Sequence, residues 1–144
     1  MFMGEYSHNV DAKGRLIVPA KLREQLGNEF VVTKGLDPCL YVYPKEEWDK
    51  IEARFAEAPL TNRKARAFMR RFFAGAETME LDKQGRILLK SSFREYAGIK
   101  KEVVLLGVLT RVEIWGKETL DDSGTFDDDM DAFADQMAEM GLNI

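Results

Sequence analysis

A single cysteine, a single histidine and four prolines close off several routes by which a chain of 144 residues is built or put to work. Cys39 alone makes neither an intramolecular disulfide nor a multi-thiolate metal site. Its "DPCLY" setting reads as a turn entering a strand, with the thiol a small buried hydrophobe. His8 alone supplies no histidine metal cluster, and its neighbour Ser7 lacks the third member of a nucleophilic triad. No apolar run approaches the ~18 residues of a membrane span. The opening "MFMGEYSHNVD" has no basic segment followed by an apolar stretch, so no secretory signal is expected and the cytoplasm is the default compartment.

Positive charge is also missing, but only from one end. The 21 lysines and arginines all precede residue 121, where 17 acids accompany them, leaving that body at +4; from Asp121 onward eight acids stand without a base. The overall charge of -4 therefore averages a basic body and an acidic tail, and the sum says little about which partners the body attracts. With 45% hydrophobic and 32% charged residues, the chain has the composition and length of one globular domain with appendages.

What the sequence does contain is a phrase stated twice. "VDAKGRLIVPAKLRE" from Val10 returns as "LDKQGRILLKSSFRE" from Leu81, an offset of 71 that pairs Asp11 with Asp82, Gly14 with Gly85, Arg15 with Arg86, Arg23 with Arg94 and Gly27 with Gly98. After one inserted residue the offset becomes 72, placing Val31, Val32, Gly35, Lys45 and Glu46 on Val103, Val104, Gly107, Lys117 and Glu118. Each copy reads as strand, tight turn, strand, short helix stopped by glycine, then two strands. "DAKG" has Asp first and Gly fourth, as a type I turn followed by a bulge prefers. A copy of about fifty residues is too small for an independent core. The two copies are therefore expected to complete one barrel or sheet together. "VVLLGVL" fits either a core strand or part of a subunit interface.

Residues 45 to 75 read as helical. "PKEEWDKIEARFAEAP" places Trp48, Ile51 and Phe55 on one face, and "LTNRKARAFMRRFFAGA" does the same for Ala65, Phe68, Met69, Phe72 and Phe73. Thr61 or Asn62 is positioned to cap the second helix and Gly75 to end it. Arg63, Lys64, Arg66, Arg70 and Arg71 occupy the rest of its circumference, either as a phosphate-binding face or as a solvated or salt-bridged one. In the tail, Phe126, Met130, Phe133, Met137 and Met140 recur at spacings of 4, 3, 4 and 3, which predicts an acidic amphipathic helix from Phe126 that docks on its own body or on a neighbour.

The repeated turn carries the chemistry. It projects Lys13 or Lys83 at its tip and fixes Arg15 or Arg86 at the base of the returning strand, a presentation suited to phosphate or guanine. The alternative is that Asp11 pairs with Arg15 and Asp82 with Arg86, closing each turn as a salt bridge. Asp11, Gly14, Asp82 and Gly85 are assigned to structure, since an acceptor-only carboxylate does not suit phosphate. A shared-proton aspartate dyad would need small hydroxyl residues where Asp11 is followed by Ala-Lys-Gly and Asp82 by Lys-Gln-Gly. The reading therefore assigns no catalytic residue, no metal and no cofactor. The rival to nucleic-acid binding is a ring-forming protein-interaction scaffold.

The doubled phrase resembles the swapped-hairpin barrel of the AbrB and SpoVT class of bacterial transcription factors. The duplicated Asp-x-x-x-Arg, the opening "GEYSHNVD" and the intervening helical pair resemble, more narrowly, the MraZ family of regulators associated with division and cell-wall gene clusters. The resemblance covers about residues 3 to 120. It implies an α+β, mainly β fold: a swapped-hairpin, double-psi-like barrel formed by two tandem half-repeats with peripheral helices. On that basis residues 1–58 are the first half with its following helix, 59–75 a connecting helix, 76–120 the second half and 121–144 the acidic, partly helical tail. It further implies a ring-like homo-oligomer, no membrane, association with the nucleoid, and binding to double-stranded DNA at repeated operator elements, including those of its own promoter. Direct repeats are expected. The residues that carry this contact are Arg15 and Arg86, with Lys13 and Arg23 around the first copy and Lys83 and Arg94 in the equivalent region of the second. Lys90 standing where the first copy has Pro19 departs from the pattern and sets the second copy apart.

Overall fold

The computed structural model describes all of residues 1–144. In chain order the first copy supplies β1 (Glu5–Asn9), β2 (Arg15–Ile17), α1 (Ala20–Leu26), β3 (Glu29–Lys34) and β4 (Leu40–Pro44). Two helices, α2 (Lys45–Phe55) and α3 (Arg63–Ala74), lead to the second copy: β5 (Glu77–Glu80), β6 (Arg86–Leu88), α4 (Ser91–Tyr96), β7 (Glu102–Val108) and β8 (Arg111–Gly116). The chain ends with α5 (Lys117–Asp122) and α6 (Met130–Glu139).

Six strands form one antiparallel sheet in the order β1-β7-β8-β4-β3-β5, and β2 pairs with β6 in a separate antiparallel ribbon. Only β3·β4 and β7·β8 join strands of the same copy. The remaining pairs, β1·β7, β3·β5, β4·β8 and β2·β6, cross between copies. Each copy thus lends its first two strands to the other, which is why neither half could bury its own core. The ladder is open, with β1 and β5 as edges.

Alternation along the strands creates two apolar layers. Phe30, Val32, Val103 and Leu105 face inward onto the ribbon residues Leu16 and Ile87 and the helix residues Leu22, Leu26 and Phe93. Val31, Tyr41, Tyr43, Val104 and Trp115 face the opposite side, under Trp48, Phe72 and Leu120 from α2, α3 and α5. "VVLLGVL" is therefore a core strand, its first three residues buried on both faces.

The layers also correct the alignment of the two copies. Matching Val31 with Val103 sets an outward residue on an inward one, because a one-residue slip exchanges the faces of a strand. The register matches Phe30 with Val103 and Val32 with Leu105: Phe30 opposes Pro44 as Val103 opposes Gly116. Two residues are inserted after Gly98, and the shorter β7–β8 turn gives one back, so the offset of 72 holds from β4 and β8 onward. Lys45 and Lys117 then open α2 and α5 identically, each bridging an acid four residues later, Asp49 and Asp121, at 2.7 Å.

The central pair breaks this symmetry. Tyr41 opposes Glu113, its own counterpart across the pseudo-two-fold. Glu113 is buried yet satisfied: Arg111 donates to it at 2.6 and 2.9 Å, and the Trp115 indole donates at 2.9 Å. The Arg111 guanidinium lies 4.3 Å from the Tyr41 ring centroid, and burial raises the Tyr43 phenol to about 12. Cys39 is fully buried and burial pushes its thiol up. The network was not legible from "RVEIW", where a lone acid in a strand gives no sign of facing inward.

α2 and α3 pack through stacked aromatic pairs, Trp48–Phe72 at 5.6 Å and Phe55–Phe68 at 5.2 Å between centroids. Asn62 caps α3 by accepting from the Ala65 N–H at 3.0 Å. The tail helix begins at Met130 and not at Phe126: Asp129 caps it, accepting from the Asp131 N–H, and hydrogen-bonded turns about Gly124 occupy the preceding residues. None of its residues is fully buried; Phe133 and Met137 are about 40% exposed and Met130 72%.

Candidate nucleic-acid interface

The two repeated turns share one geometry. The Asp11 carboxylate accepts from the Lys13 and Arg15 backbone N–H groups, both at 2.9 Å, and from Arg15 Nε at 2.6 Å. Asp82 accepts from the Gln84 and Arg86 N–H groups at 2.9 Å and from Arg86 Nε at 2.8 Å. Each turn closes through a 3.0 Å bond from the glycine N–H to the aspartate carbonyl, with Gly14 at φ 83° and Gly85 at φ 75°. These left-handed values are the reason for glycine at the fourth position. The backbone N–H of Arg15 and the guanidinium beyond it hold the Asp11 carboxyl below its usual range, and Arg86 does the same for Asp82.

The salt-bridge alternative is therefore present in both copies. It leaves the arginines only partly used. Each aspartate takes Nε; the Arg15 terminal nitrogens have no protein partner, while one of Arg86's donates to Gln84 Oε1 at 3.3 Å. In the first copy the carboxylate thus buttresses Arg15 through Nε and leaves both of its terminal nitrogens without a protein partner.

The ribbon sets the spacing of the two arginines. Arg15 pairs with Leu88, Leu16 with Ile87 and Ile17 with Arg86, so the turns lie at opposite ends. Leu16 and Ile87 face the core, whereas Arg15, Ile17, Arg86 and Leu88 share the outer face. Ile17 is 46% and Leu88 61% exposed, each directly across the ribbon from a cation, Ile17 from Arg86 and Leu88 from Arg15. Only the cross-strand register reveals that placement. It also sets Asp11 and Asp82 apart at the two ends.

The short helices complete each end crosswise. Arg94 of α4 lies against Gly14, where a Cβ would meet its Nε at 3.2 Å; its Nε donates to the Leu89 carbonyl at 3.0 Å. Arg23 of α1 lies against Gly85 in the same way. Sequence grouping put Lys13 with Arg23 and Lys83 with Arg94, but strand exchange reverses this. Lys13, Arg15 and Arg94 form one end; Lys83, Arg86 and Arg23 form the other. Lys90 does not disturb the fold: its φ of -64° is one that proline also adopts, and its ammonium bridges Glu77 at 2.8 Å.

The five bases of α3 are all exposed. None of them meets a carboxylate, and Arg66 donates to the Leu60 carbonyl at 2.8 Å. They form a solvated face away from the ribbon.

The duplication read from the strands recurs in comparison with known proteins. A family model described as "MraZ protein, putative antitoxin-like" matches the chain twice, over residues 1–71 and 72–139. A "Transcriptional regulator MraZ" of Clostridium beijerinckii is 54% identical over 142 residues, 99% of this chain and 100% of that protein. Its namesake from Desulforamulus reducens is 55% identical over 139 residues, 96% of each chain. That of Carboxydothermus hydrogenoformans is 61% identical over 118 residues, 82% of each. Two matched halves and near-complete coverage at these identities agree with the doubled aspartate–arginine turn, and the chain belongs to the MraZ family.

Proposed function

We propose that this protein is a sequence-specific DNA-binding transcriptional regulator, and no enzyme, whose β2–β6 ribbon and flanking turns meet duplex DNA. The observation that carries the reading is the buttressed arginine. Asp11 fixes Arg15 through Nε, and the free terminal nitrogens match the paired acceptors of guanine O6 and N7 or of a phosphate. A two-stranded ribbon fits a major groove ~12 Å wide. Arg15 and Arg86 are the base-reading candidates; Lys13, Arg94, Lys83 and Arg23 supply the surrounding positive charge that positions the backbone. Asp11, Gly14, Asp82 and Gly85 hold the turns. The relatives, transcriptional regulators by name, support the regulatory role.

The strand exchange between copies and the family resemblance support the finer assignments of this reading. The ribbon and sheet together make the swapped-hairpin barrel of the body, residues 1–58 and 76–120 with 59–75 connecting them, and 121–144 form a separate acidic tail. Copies assemble as a ring in the cytoplasm, on the nucleoid, at directly repeated operators of division and cell-wall genes and of the protein's own promoter. The test is binding of full-length protein to duplex DNA over a range of salt. Arg15→Ala is expected to weaken specific binding by about 1–3 kcal/mol while leaving the thermal transition and the oligomer unchanged. Lys13→Ala is expected to weaken specific and non-specific DNA alike and to flatten the salt slope. Absence of salt-dependent DNA binding would favour a protein-interaction scaffold instead.

A further inference from the structure

The outer face of the β2–β6 ribbon inverts the usual order of exposure. Ile17 and Leu88 are exposed, whereas Arg86 and Arg15, directly across the strands from them, are half-buried, each guanidinium folded back onto its aspartate through Nε. On most surfaces cations stand furthest out and aliphatic side chains lie beneath. The four side chains form a square, with Arg15 and Arg86 on one diagonal and Ile17 and Leu88 on the other, about the Leu16–Ile87 pair as a local two-fold. Opposed residues are about 5 Å apart, and alternate residues of one strand ~6.8 Å. Ile17 and Leu88 are also equivalent in the repeat, each two positions after the motif arginine. Neighbouring positions differ between the copies: Lys13 answers to Gln84, Pro19 to Lys90 and Lys21 to Ser92. Yet neither copy places a polar residue at this outward strand position, where the core demands no apolar one.

We infer, on the reading that this ribbon meets duplex DNA, that Ile17 and Leu88 contact the 5-methyl groups of thymine in the major groove. Whatever covers the patch must be apolar at its centre and anionic at its rim, since Lys13, Arg15 and Arg94 stand at one end and Lys83, Arg86 and Arg23 at the other. A groove that displays thymine has this pattern, with methyl groups on its floor between two rows of phosphates. A second copy applied face to face would instead set Arg15 and Arg86 against their own like charges. The side chains of Ile17 and Leu88 carry neither donor nor acceptor. The one base-specific feature they can register is therefore the methyl, by withdrawing apolar surface from water. The ~6.8 Å between Arg15 and Ile17 along the strand equals two base-pair steps of ~3.4 Å. The thymine thus lies within about two base pairs of the group that the arginine holds, and the aliphatic pair separates thymine from cytosine, which has no methyl.

The probe is a duplex selected from a randomised pool by the full-length protein, with each thymine replaced in turn by deoxyuridine. That exchange deletes the methyl and keeps every hydrogen-bonding group of the base. Binding at fixed salt should weaken by roughly three- to fivefold at the thymines beside the arginine contacts, the effect of one apolar carbon withdrawn from water. Each of those positions should become indifferent to the exchange in Ile17→Ala or in Leu88→Ala protein, whose side chains are exposed and leave the thermal transition in place. Arg15→Ala should weaken binding and keep the penalty. If no thymine shows a penalty while Arg15→Ala still weakens binding, the methyl contact is wrong and the DNA reading stands. A penalty that persists in both aliphatic variants places the methyl contact elsewhere and also overturns the inference. Dissociation of the oligomer in either variant, read by sedimentation, would mean that a second copy covers the face, with the same consequence. Failure to select any duplex removes the DNA reading itself, and the methyl contact with it.

Discussion

In the proposed reading Arg15 is at once the salt-bridge partner of Asp11 and the DNA-binding side chain. Guanidinium offers five donors in a rigid fork, and Asp11 engages only the inner one, so fixing the residue does not consume its recognition edge. Arg15→Lys keeps the charge but loses the fork, and it is expected to lose specific DNA affinity nearly as fully as Arg15→Ala, read by competition with non-specific duplex. Arg86→Ala should cost less, because one terminal nitrogen of Arg86 already donates to Gln84. The aspartates have their own signature. Their folded carboxyl pKa values are lowered, so their contribution to stability is complete above the ordinary aspartate value of ~3.9 and is lost as pH falls through the lower folded one. Thermal unfolding of an Asp11→Asn/Asp82→Asn variant should therefore show a deficit at pH 7 that shrinks below about pH 4.

At the scale of elements, the outer layer is held by a few large contacts. Phe72 is 7% exposed, stacks on Trp48 and Phe68, and offers its carbonyl to the buried Thr33 hydroxyl at 2.7 Å. Phe72→Ala is expected to cost about 3–5 kcal/mol in chemical denaturation, with α3 loosening first in hydrogen exchange. Asn62→Ala removes only the cap, for about 1 kcal/mol. In the turns, Gly14→Ala combines a positive φ with a Cβ placed 2.8 Å from the Leu89 carbonyl oxygen. It should therefore disturb the ribbon end where Arg94 packs on the turn that carries Arg15, and lower DNA affinity beyond its effect on melting temperature.

For the whole molecule, exchange of strands between copies gives one chain two similar turn ends, and in the proposed ring of chains these would recur around a rim. A modest contact becomes strong when several are engaged at high effective concentration. Neighbours related head to tail favour direct repeats with centres near one helical turn, about 10 bp. Inserting roughly 5 bp between two repeats should reduce affinity at fixed salt, and inserting a full turn should restore it where ring and DNA still span the distance. Indifference to phase would show that subunits bind independently.

Much of this was written in the chain itself. The doubled Asp-x-x-Gly-Arg phrase, the two-period strands, a cap at Thr61 or Asn62, the stop at Gly75 and the fate of Cys39 are local: backbone φ, side-chain alternation and short-range hydrogen bonds decide them, and each reaches only a few residues. The long-range pairings were not legible. Arg94 joins Arg15 and Arg23 joins Arg86 only because β2 and β6 exchange between copies. Phe30 and not Val31 matches Val103 because burial on two faces, and not residue identity, sets the register. Glu113 has its partners Arg111 and Trp115 only two residues away, but it becomes an internal acceptor because the assembled sheet buries that face. Sequence fixes what each residue can offer over one turn of chain, whereas the partner it meets across a sheet depends on which arrangement of both halves buries the most apolar surface at once.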